Sequence, residues 1–288
     1  MAKTLLNFCS TDLAKGCVQA LEKYSPVLTE IPVMEVVGSA HSFNVMKELV
    51  NAGWRTIDQD LGASQALPEK YTVDMKIAQA DVKVDRSLTK MGDLANVRAV
   101  ETETAMIAMA QKILDGILYG NAEDNSMNGL THYIENGFGT KLEGTITGDV
   151  ANVDTELEMI YEAIDSVAFA RDGGTVIFVS PATHRKLNKL CRNANVTLTK
   201  VEAFGTSVMA FDNIPVLVDE AVKDGDIFIV KLGEQFVSLL SNGGLTAEDA
   251  GLHGVHYITA VEFIGNLCVK HPKAFALISA PAVMRAKK

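Results

Sequence analysis

Residues 54–91, WRTIDQDLGASQALPEKYTVDMKIAQADVKVDRSLTKM, carry six cations and six anions in 38 positions: Arg55, Lys70, Lys76, Lys83, Arg86 and Lys90 against Asp58, Asp60, Glu69, Asp74, Asp81 and Asp85. The second half alternates, with Tyr71, Val73, Met75 and Ile77 on one side and then Val82 and Val84. Alternation of this kind is the period of a strand. The segment therefore predicts a long two-stranded excursion around LGASQALPEK. A lone hairpin is marginal in water, and one this polar adds little to a core. It needs a surface to lie on, in its own chain or in another.

The excursion is followed by the strongest helical pattern in the chain. Over 92–120, Val97, Val100, Thr104, Ile107, Ala110, Leu114 and Ile117 recur at spacings of three and four. Asp93 is positioned to cap the start, and Gly116 and Gly120 weaken the end. A helix of about 27 residues spans roughly 40 Å, long enough for other pieces to lie along it. Its exit, ILDGILYGNAEDNSMNGLTHYI at 113–134, crowds Asp115, Asn121, Glu123, Asp124, Asn125 and Asn128 together. A calcium loop of the helix–loop–helix type needs a glycine at its sixth position and a glutamate at its twelfth. NAEDNSMNGLTH has neither, so the stretch reads as a helix end and a polar turn.

Ahead of the excursion, residues 11–24 read as a short amphipathic helix. Ser10 or Thr11 caps it, Leu13, Cys17, Ala20, Leu21 and Tyr24 share its apolar face, and SP at 25–26 stops it. VLTEIPVMEVVGSAHSFNVMKELV then reads as extended, broken at Pro32 and Gly38. This front piece has too few apolar positions for a core of its own.

Residues 151–251 read as a compact α/β lobe. DTELEMIYEAIDSVAFA is a helix and TVIFVS a buried strand. SPATHRKLNKLCRN is a second helix, with Ser180 at the cap and Pro181 in its first turn. SVMAFDNIPVLVDE and DIFIVKLGEQFVSLLS read as two hairpins. GVHYITAVEFIGNLCVKHPKAFALISA reads as a longer hairpin turning at His271-Pro272.

Composition narrows the function classes. The formal charge is −10, and only Arg285, Lys287 and Lys288 at the end are clearly basic. That argues against tight, sequence-specific DNA reading. Cys9, Cys17, Cys191 and Cys268 form no CxxC and read as reduced thiols. MAKTLLNFCSTDLAK does not read as a secretory signal. No run approaches the roughly 18 apolar residues of a membrane helix, so the chain is expected to be cytoplasmic, with no membrane partner.

The candidate reaction centres are weak. His253 and His256 in HGVH lie on a predicted strand, where they are expected to face opposite ways, and no HExxH accompanies them. Ser180, His184 and Asp165 lack a GxSxG elbow, and Ser180 is already a cap. RDGGTV has neither phosphate-loop spacing. Asp219-Glu220 reads as the cap of a turn in preference to a cation site. No catalytic, cofactor-binding or metal residues are assigned, and the chain is expected not to be an enzyme.

Taken in order, these pieces resemble a tailed-bacteriophage major capsid protein with the Johnson fold, which encapsulins share. SPVLTEIPVMEVVGSAHSFNV resembles the N-terminal arm, and the charged hairpin closing at KVDRSL resembles the extended loop. The helix running into ILDGILYGNAEDNSMNGLTHYI resembles the spine helix and its crossover, with an interdomain corner from Gly120 to Leu130. GGTVIFVSPATHRKL and SVMAFDNIPVLVDE resemble the axial domain, and AGLHGVHYITAVEFIGNLCVKHPKAFALI the closing strands of the peripheral domain.

The resemblance implies an α+β fold with an N-terminal arm at 1–40 and an extended β-hairpin loop at 41–91. A peripheral domain with its spine helix would occupy 92–150 and 252–281, an α/β axial domain 151–251, and a basic tail 282–288. It implies a subunit that assembles with itself as pentamers and hexamers into an icosahedral head around double-stranded DNA, held by weak non-specific contact. A separate scaffolding protein and a portal are implied as further partners, with assembly in the host cytoplasm and residence in the virion. Arg55, Asp58, Asp60, Lys70, Lys76, Asp81, Lys83, Asp85 and Arg86 are the expected intersubunit contacts. Some relatives cross-link a loop lysine to a neighbour's asparagine, for which Lys70, Lys76 or Lys83 and Asn266 are conceivable partners. The rival readings are an encapsulin-like compartment shell and, in a different class, a soluble α/β enzyme using the 151–251 lobe.

Overall fold

Four apolar runs that become neighbours in one sheet set the centre of the molecule. Thr175–Val179, Ile214–Val218, Ile227–Lys231 and Phe275–Ser279 are each largely or wholly buried, the signature of strands covered on both faces. In the computed structural model, which describes residues 25–48, 52–57, 67–88, 94–195, 199–203 and 206–281, they form the middle of a seven-stranded sheet. Numbered along the chain, the strands are β1 (Val33–Glu35), β2 (Ala40–Glu48), β3 (Leu67–Asp74), β4 (Lys76–Asp85), β5 (Thr140–Glu143), β6 (Thr175–Val179) and β7 (Thr199–Ala203). They continue with β8 (Thr206–Phe211), β9 (Ile214–Val218), β10 (Ile227–Lys231), β11 (Val237–His253), β12 (His256–Val269) and β13 (Phe275–Ser279). The described helices are α1 (Pro26–Glu30), α2 (Leu94–Tyr119), α3 (Leu130–Glu135), α4 (Val153–Ser166) and α5 (Pro181–Asn193).

The seven-stranded sheet has the order β5-β13-β10-β6-β9-β8-β7. Alternation splits its side chains between two cores. Ile177, Val179, Ile227, Ile229 and Ile278 meet α4 and α5 through Ile160, Ile164, Leu187 and Leu190. Val176, Phe178, Phe228, Val230 and Leu277 face the other way, into the core that α2 and the second sheet complete with Ile113, Ile117, Leu239 and Leu267. That second sheet has the order β1-β11-β12-β4. β2 and β3 form a separate antiparallel pair. The fold is α+β.

Local reasons are plain at several joints. Ser180 Oγ accepts from the Thr183 N–H at 3.1 Å and Pro181 opens α5, as a serine cap followed by proline predicts. Asp212 and Asn213 both have positive φ, 50° and 64°, and they make the two-residue turn between β8 and β9 that such residues favour.

Other joints differ from the sequence reading. SP at 25–26 begins a helix, α1, where an extended segment was expected; proline suits a first turn. DIFIVKLGEQFVSLLS is no hairpin: β10 pairs with β6 and β13, β11 pairs with β12, and one Leu232–Val237 bridge joins them. His271-Pro272 likewise turns no hairpin, because β12 and β13 belong to different sheets. The long hairpin is β11–β12, turning at Gly254-Val255 with Gly254 at φ 64°. Apolar runs of this length fit either sheet, and only tertiary burial decides between them.

α2 spans 26 residues, close to the length its periodicity predicts, but its phase is shifted. Thr102, Met106, Met109, Ile113 and Ile117 are buried, while Val100 and Ile107 are 61% and 37% exposed. Methionine fills the irregular space under the helix, which a count of β-branched residues overlooks. Helix 11–24 and the proposed cap Asp93 lie outside the described residues.

Candidate assembly surfaces and the corner at 120–129

The corner after α2 is built from its own polar residues. Asn121 Oδ1 accepts from the Glu123 N–H at 3.1 Å, Asn125 adopts φ 57°, and Ser126 Oγ accepts from the Asn121 N–H at 2.8 Å. Side chains already engaged with the backbone in this way explain the polar cluster as a turn. The chain then closes on itself, with the Gly129 N–H donating to the Gly120 carbonyl at 2.9 Å. A Cβ on Gly120 would stand 2.3 Å from the Met127 carbonyl oxygen, and one on Gly129 would stand 2.4 Å from Gly120 N. Both positions need glycine because backbone meets backbone.

Asn266, fully buried on β12, ties the corner down. Its Oδ1 accepts from the Asn128 N–H at 2.7 Å and the Leu267 N–H at 2.8 Å, and its Nδ2 donates to the Asp74 carbonyl at 2.7 Å. One side chain thus joins the corner, β12 and the β3–β4 junction. The amide of Asn266, named above as a conceivable cross-linking partner, is engaged inside its own subunit. Nearby, Tyr133 donates to the Leu267 carbonyl at 2.8 Å, and burial pushes its phenol above the ordinary range. Burial likewise raises the Cys268 thiol to about 11.

The Ser180, His184 and Asp165 set is not assembled into a triad. Ser180 Oγ donates to Asp224 Oδ1 at 2.8 Å, and Asp165 pairs with Arg171 at 2.6 Å; neither side chain bonds to the His184 imidazole, and the His184 N–H donates to the Ser180 carbonyl at 2.8 Å within the helix. His253 and His256 are cross-strand partners flanking the Gly254-Val255 turn. The expectation that they face opposite ways fails because a two-residue turn sets its flanking residues opposite one another. Among the described residues no group of three or more His, Cys, Asp or Glu is placed to hold a metal. Asp219 does cap its turn, accepting from the Ala221 N–H at 2.9 Å, and it also receives the Ser25 hydroxyl at 2.6 Å. That second bond pins the start of α1 to the seven-stranded sheet.

Two buried charged groups escaped the sequence reading. Glu156 takes the Thr147 N–H at 3.0 Å, the Thr147 hydroxyl at 2.6 Å and the Gly148 N–H at 2.9 Å. Lys231 donates to the carbonyls of Phe169 and Gly173. Each is satisfied by backbone near a helix end, a pattern that no local motif announces.

The charged hairpin is split between two sheets. β3 pairs with β2, and after a break at Met75, β4 pairs with β12. The break changes which residues face inward. Val73, Val82 and Val84 are buried while Ile77, expected on the same side as Val73, is 64% exposed. Of the expected contact residues, Arg55, Lys70, Asp81, Lys83, Asp85 and Arg86 are exposed and Lys76 is half-buried. Asp58 and Asp60 lie outside the described residues. The Ser87 N–H, at 2.7 Å, and His256 and Arg86 more weakly, hold Asp85 below the usual carboxylate range.

Two apolar features accompany these charges. Trp54 and Ile57 are 102% and 93% exposed. Between α2, β4 and the corner lies a cavity of about 620 Å³. The lobe's own cavity, between 170–176 and 212–215, is about 110 Å³ and is flanked by the exposed Arg171–Asp212 ion pair.

Comparison with known proteins gives this arrangement a context. A family model described as Major capsid protein GP7 matches residues 11–136. No curated protein matches the chain. Among solved structures, a virus-like particle from Pyrococcus furiosus superposes with a TM-score of 0.62 at 11% identity, covering 93% of this chain and 97% of that one. The holo-SrpI encapsulin complex from Synechococcus elongatus gives 0.64 at 15% identity, covering 93% and 92%. A chain of Mycobacterium phage Adephagia gives 0.63 at 11%, covering 90% and 91%. The chain therefore has the Johnson fold, the fold that phage major capsid proteins and encapsulins share.

Proposed function

We propose that the chain is a structural shell subunit that assembles with itself, as pentamers and hexamers, into the icosahedral head of a tailed phage around double-stranded DNA. The observation that carries this reading is the likeness of fold along nearly the whole length of both this chain and the shell proteins it resembles. In this reading residues 1–40 are the arm, 41–91 the extended loop, α2 the spine helix, and 151–251 the axial domain. The net charge of −10 supports weak contact with packaged DNA, because a shell gripping its genome through many lysines would hinder packing and release. A scaffolding protein and a portal complete the proposed assembly, which takes place in the host cytoplasm and yields the virion.

A compartment shell enclosing protein is the second reading, favoured by the likeness to an encapsulin. Electron microscopy of the purified chain, beside its sedimentation profile, tests both. Closed shells or rings of fives and sixes are expected. Nuclease-protected double-stranded DNA inside shells recovered from infected or induced cells supports the phage head, and a co-purifying protein cargo supports the compartment. A subunit that stays monomeric with scaffold supplied would falsify both.

The charges at 55–86 are proposed to pair between subunits. Ion pairs at a wet interface are screened by salt. Raising the ionic strength or introducing Lys83→Glu should slow assembly and leave subunit melting within about 0.5 kcal/mol of the parent. Assembly indifferent to both would remove these residues from the interface.

A further inference from the structure

Three Asn-Gly pairs occur in the chain: Asn128-Gly129, Asn136-Gly137 and Asn242-Gly243. This dipeptide carries its own chemistry. The glycine nitrogen, once deprotonated, can attack the side-chain Cγ of the asparagine before it, because glycine has no Cβ to obstruct the approach and its backbone turns freely. In a folded chain the reaction depends on whether that nitrogen and that amide are free to meet. The fold treats the three pairs differently.

Two are held shut. Gly129 is buried, its N–H donates to the Gly120 carbonyl at 2.9 Å, and the Asn128 N–H is held by Asn266 at 2.7 Å. At the end of α3 the Gly137 N–H donates to the Ile134 carbonyl at 3.0 Å, and the Asn136 amide donates to the His132 carbonyl at 3.0 Å. In both pairs the glycine nitrogen must leave a hydrogen bond before it can attack.

The third pair lies open. The β11–β12 ladder pairs Ser241 with Gly265 and resumes at Leu245 with Phe263. Residues 242–244 therefore stand opposite Ile264 alone, a bulge in β11. Asn242 and Gly243 are exposed and have no cross-strand partner. Gly243 has φ 80°, and a Cβ there would meet nothing within 4 Å. The bulge is pinned on both sides of the pair. The Gly244 N–H donates to Ser241 Oγ at 3.1 Å, and the Ser241 carbonyl accepts from the Val36 N–H at 3.0 Å.

We propose that Asn242 is a modification site, deamidated spontaneously at the β11 bulge while Asn128 and Asn136 are spared. A base in solvent takes the Gly243 amide proton. The nitrogen bonds to Asn242 Cγ, the Cγ–Nδ2 bond breaks, and ammonia leaves, closing a five-membered imide. Water then opens the ring. Addition at Cγ gives aspartate, and addition at the main-chain carbonyl gives isoaspartate, whose backbone runs through the former side chain. Water is the only co-reactant. Each event adds one negative charge to an exposed face. Isoaspartate also lengthens the backbone by one carbon, which a segment that already carries unmatched residues absorbs.

The folded subunit is incubated in mildly alkaline buffer made with heavy-oxygen water, which labels each carboxyl formed during the incubation. Peptide mapping by mass spectrometry follows all three pairs, and a parallel sample in guanidinium chloride gives their rates without the fold. Asn242 should convert in the folded subunit at a rate close to its unfolded one, with isoaspartate and aspartate both present. Asn128 and Asn136 should be slowed by about tenfold or more on folding, since they react only through local opening. Asn242→Gln should remove the acidic species that isoelectric focusing shows after incubation, and Asn136→Gln should leave it. Asn242→Asp, which carries the charge without the rearrangement, should focus with that species and melt with the parent. Folding that slows Asn242 as much as the other two would overturn the bulge as an open site. Asn128 or Asn136 converting as fast as Asn242 in the folded subunit would overturn the selectivity.

Discussion

The seven-stranded sheet and the 40–85 excursion are stabilised in opposite ways. In the sheet every central strand is covered on both faces, and Phe178, Phe228 and Ile229 are at most 1% exposed. β2 and β3 pair only with each other, and the segment beyond β2 presents Trp54 and Ile57 to water. One region has its partners in its own chain. The other is mixed: β4 pairs with β12 of the same chain, while the stretch from β2 to β3 is what a second subunit would cover in the proposed shell reading. Mutations should separate the two, since damage to the sheet appears in the isolated subunit and damage at the exposed Trp54 and Ile57 leaves the isolated subunit intact.

The largest expected effect is therefore in the sheet. Phe228→Ala should destabilise the subunit by about 3–5 kcal/mol, the usual cost of an aromatic-sized cavity, and thermal melting measures it. Trp54→Ala should leave the same melting curve within about 0.5 kcal/mol. If the two variants melted alike, the contrast between the regions would be lost.

Next comes the junction where the two regions meet. Asn266→Ala would strand the Asn128 N–H and the Asp74 carbonyl, each without the partner it has now. Leaving such groups unpaired in the interior costs about 1–3 kcal/mol apiece, so denaturant titration should show a loss of about 2–4 kcal/mol. Gly129→Ala pushes a methyl group against the Gly120 backbone and should cost about 1–3 kcal/mol by overpacking. A neutral outcome for Gly129→Ala would mean that the corner has slack the close contacts do not suggest.

How much of this was legible in the sequence depended on whether the cause was local. The Ser180 cap, the Asp212-Asn213 turn and the polar corner depend on residues within a few positions, and their chemistry is written beside them. The length of α2 was readable because periodicity is local, but its phase depended on which face the sheets would cover. The pairing of β10, β11 and β13 was not readable, because an apolar run records burial without naming a neighbour. Asn266 illustrates the same limit at the buried corner. A single asparagine among apolar residues carries no sign that it links segments 138 and 192 positions away. Trp54 left a signal that could have been used: the chain's only indole stands in a segment too polar to have a core.

The smallest effect tests the connection through α1, the short helix that Ser25 pins to Asp219. Burial alone raises the carboxyl of Glu30, in its last turn, to about 7 from an ordinary 4.5. A carboxyl whose folded pKa is raised binds its proton more tightly when folded than unfolded. Its contribution to stability is therefore complete below about pH 4.5 and is lost as pH rises through about 7. Taken at face value such a shift is worth roughly 3 kcal/mol, but the group is half open to water, and screening reduces the expectation to about 1 kcal/mol. Glu30→Gln removes the charge without changing the shape. It should stabilise the subunit at pH 8 by about 1 kcal/mol, change little at pH 4.5, and flatten the slope between. Because α1 is fixed to the sheet while the chain beyond it enters β1 and the excursion, the effect should appear in subunit melting. Equal gains at both pH values would mean that Glu30→Gln acts through packing, and the carboxyl would then have no part in the pH dependence.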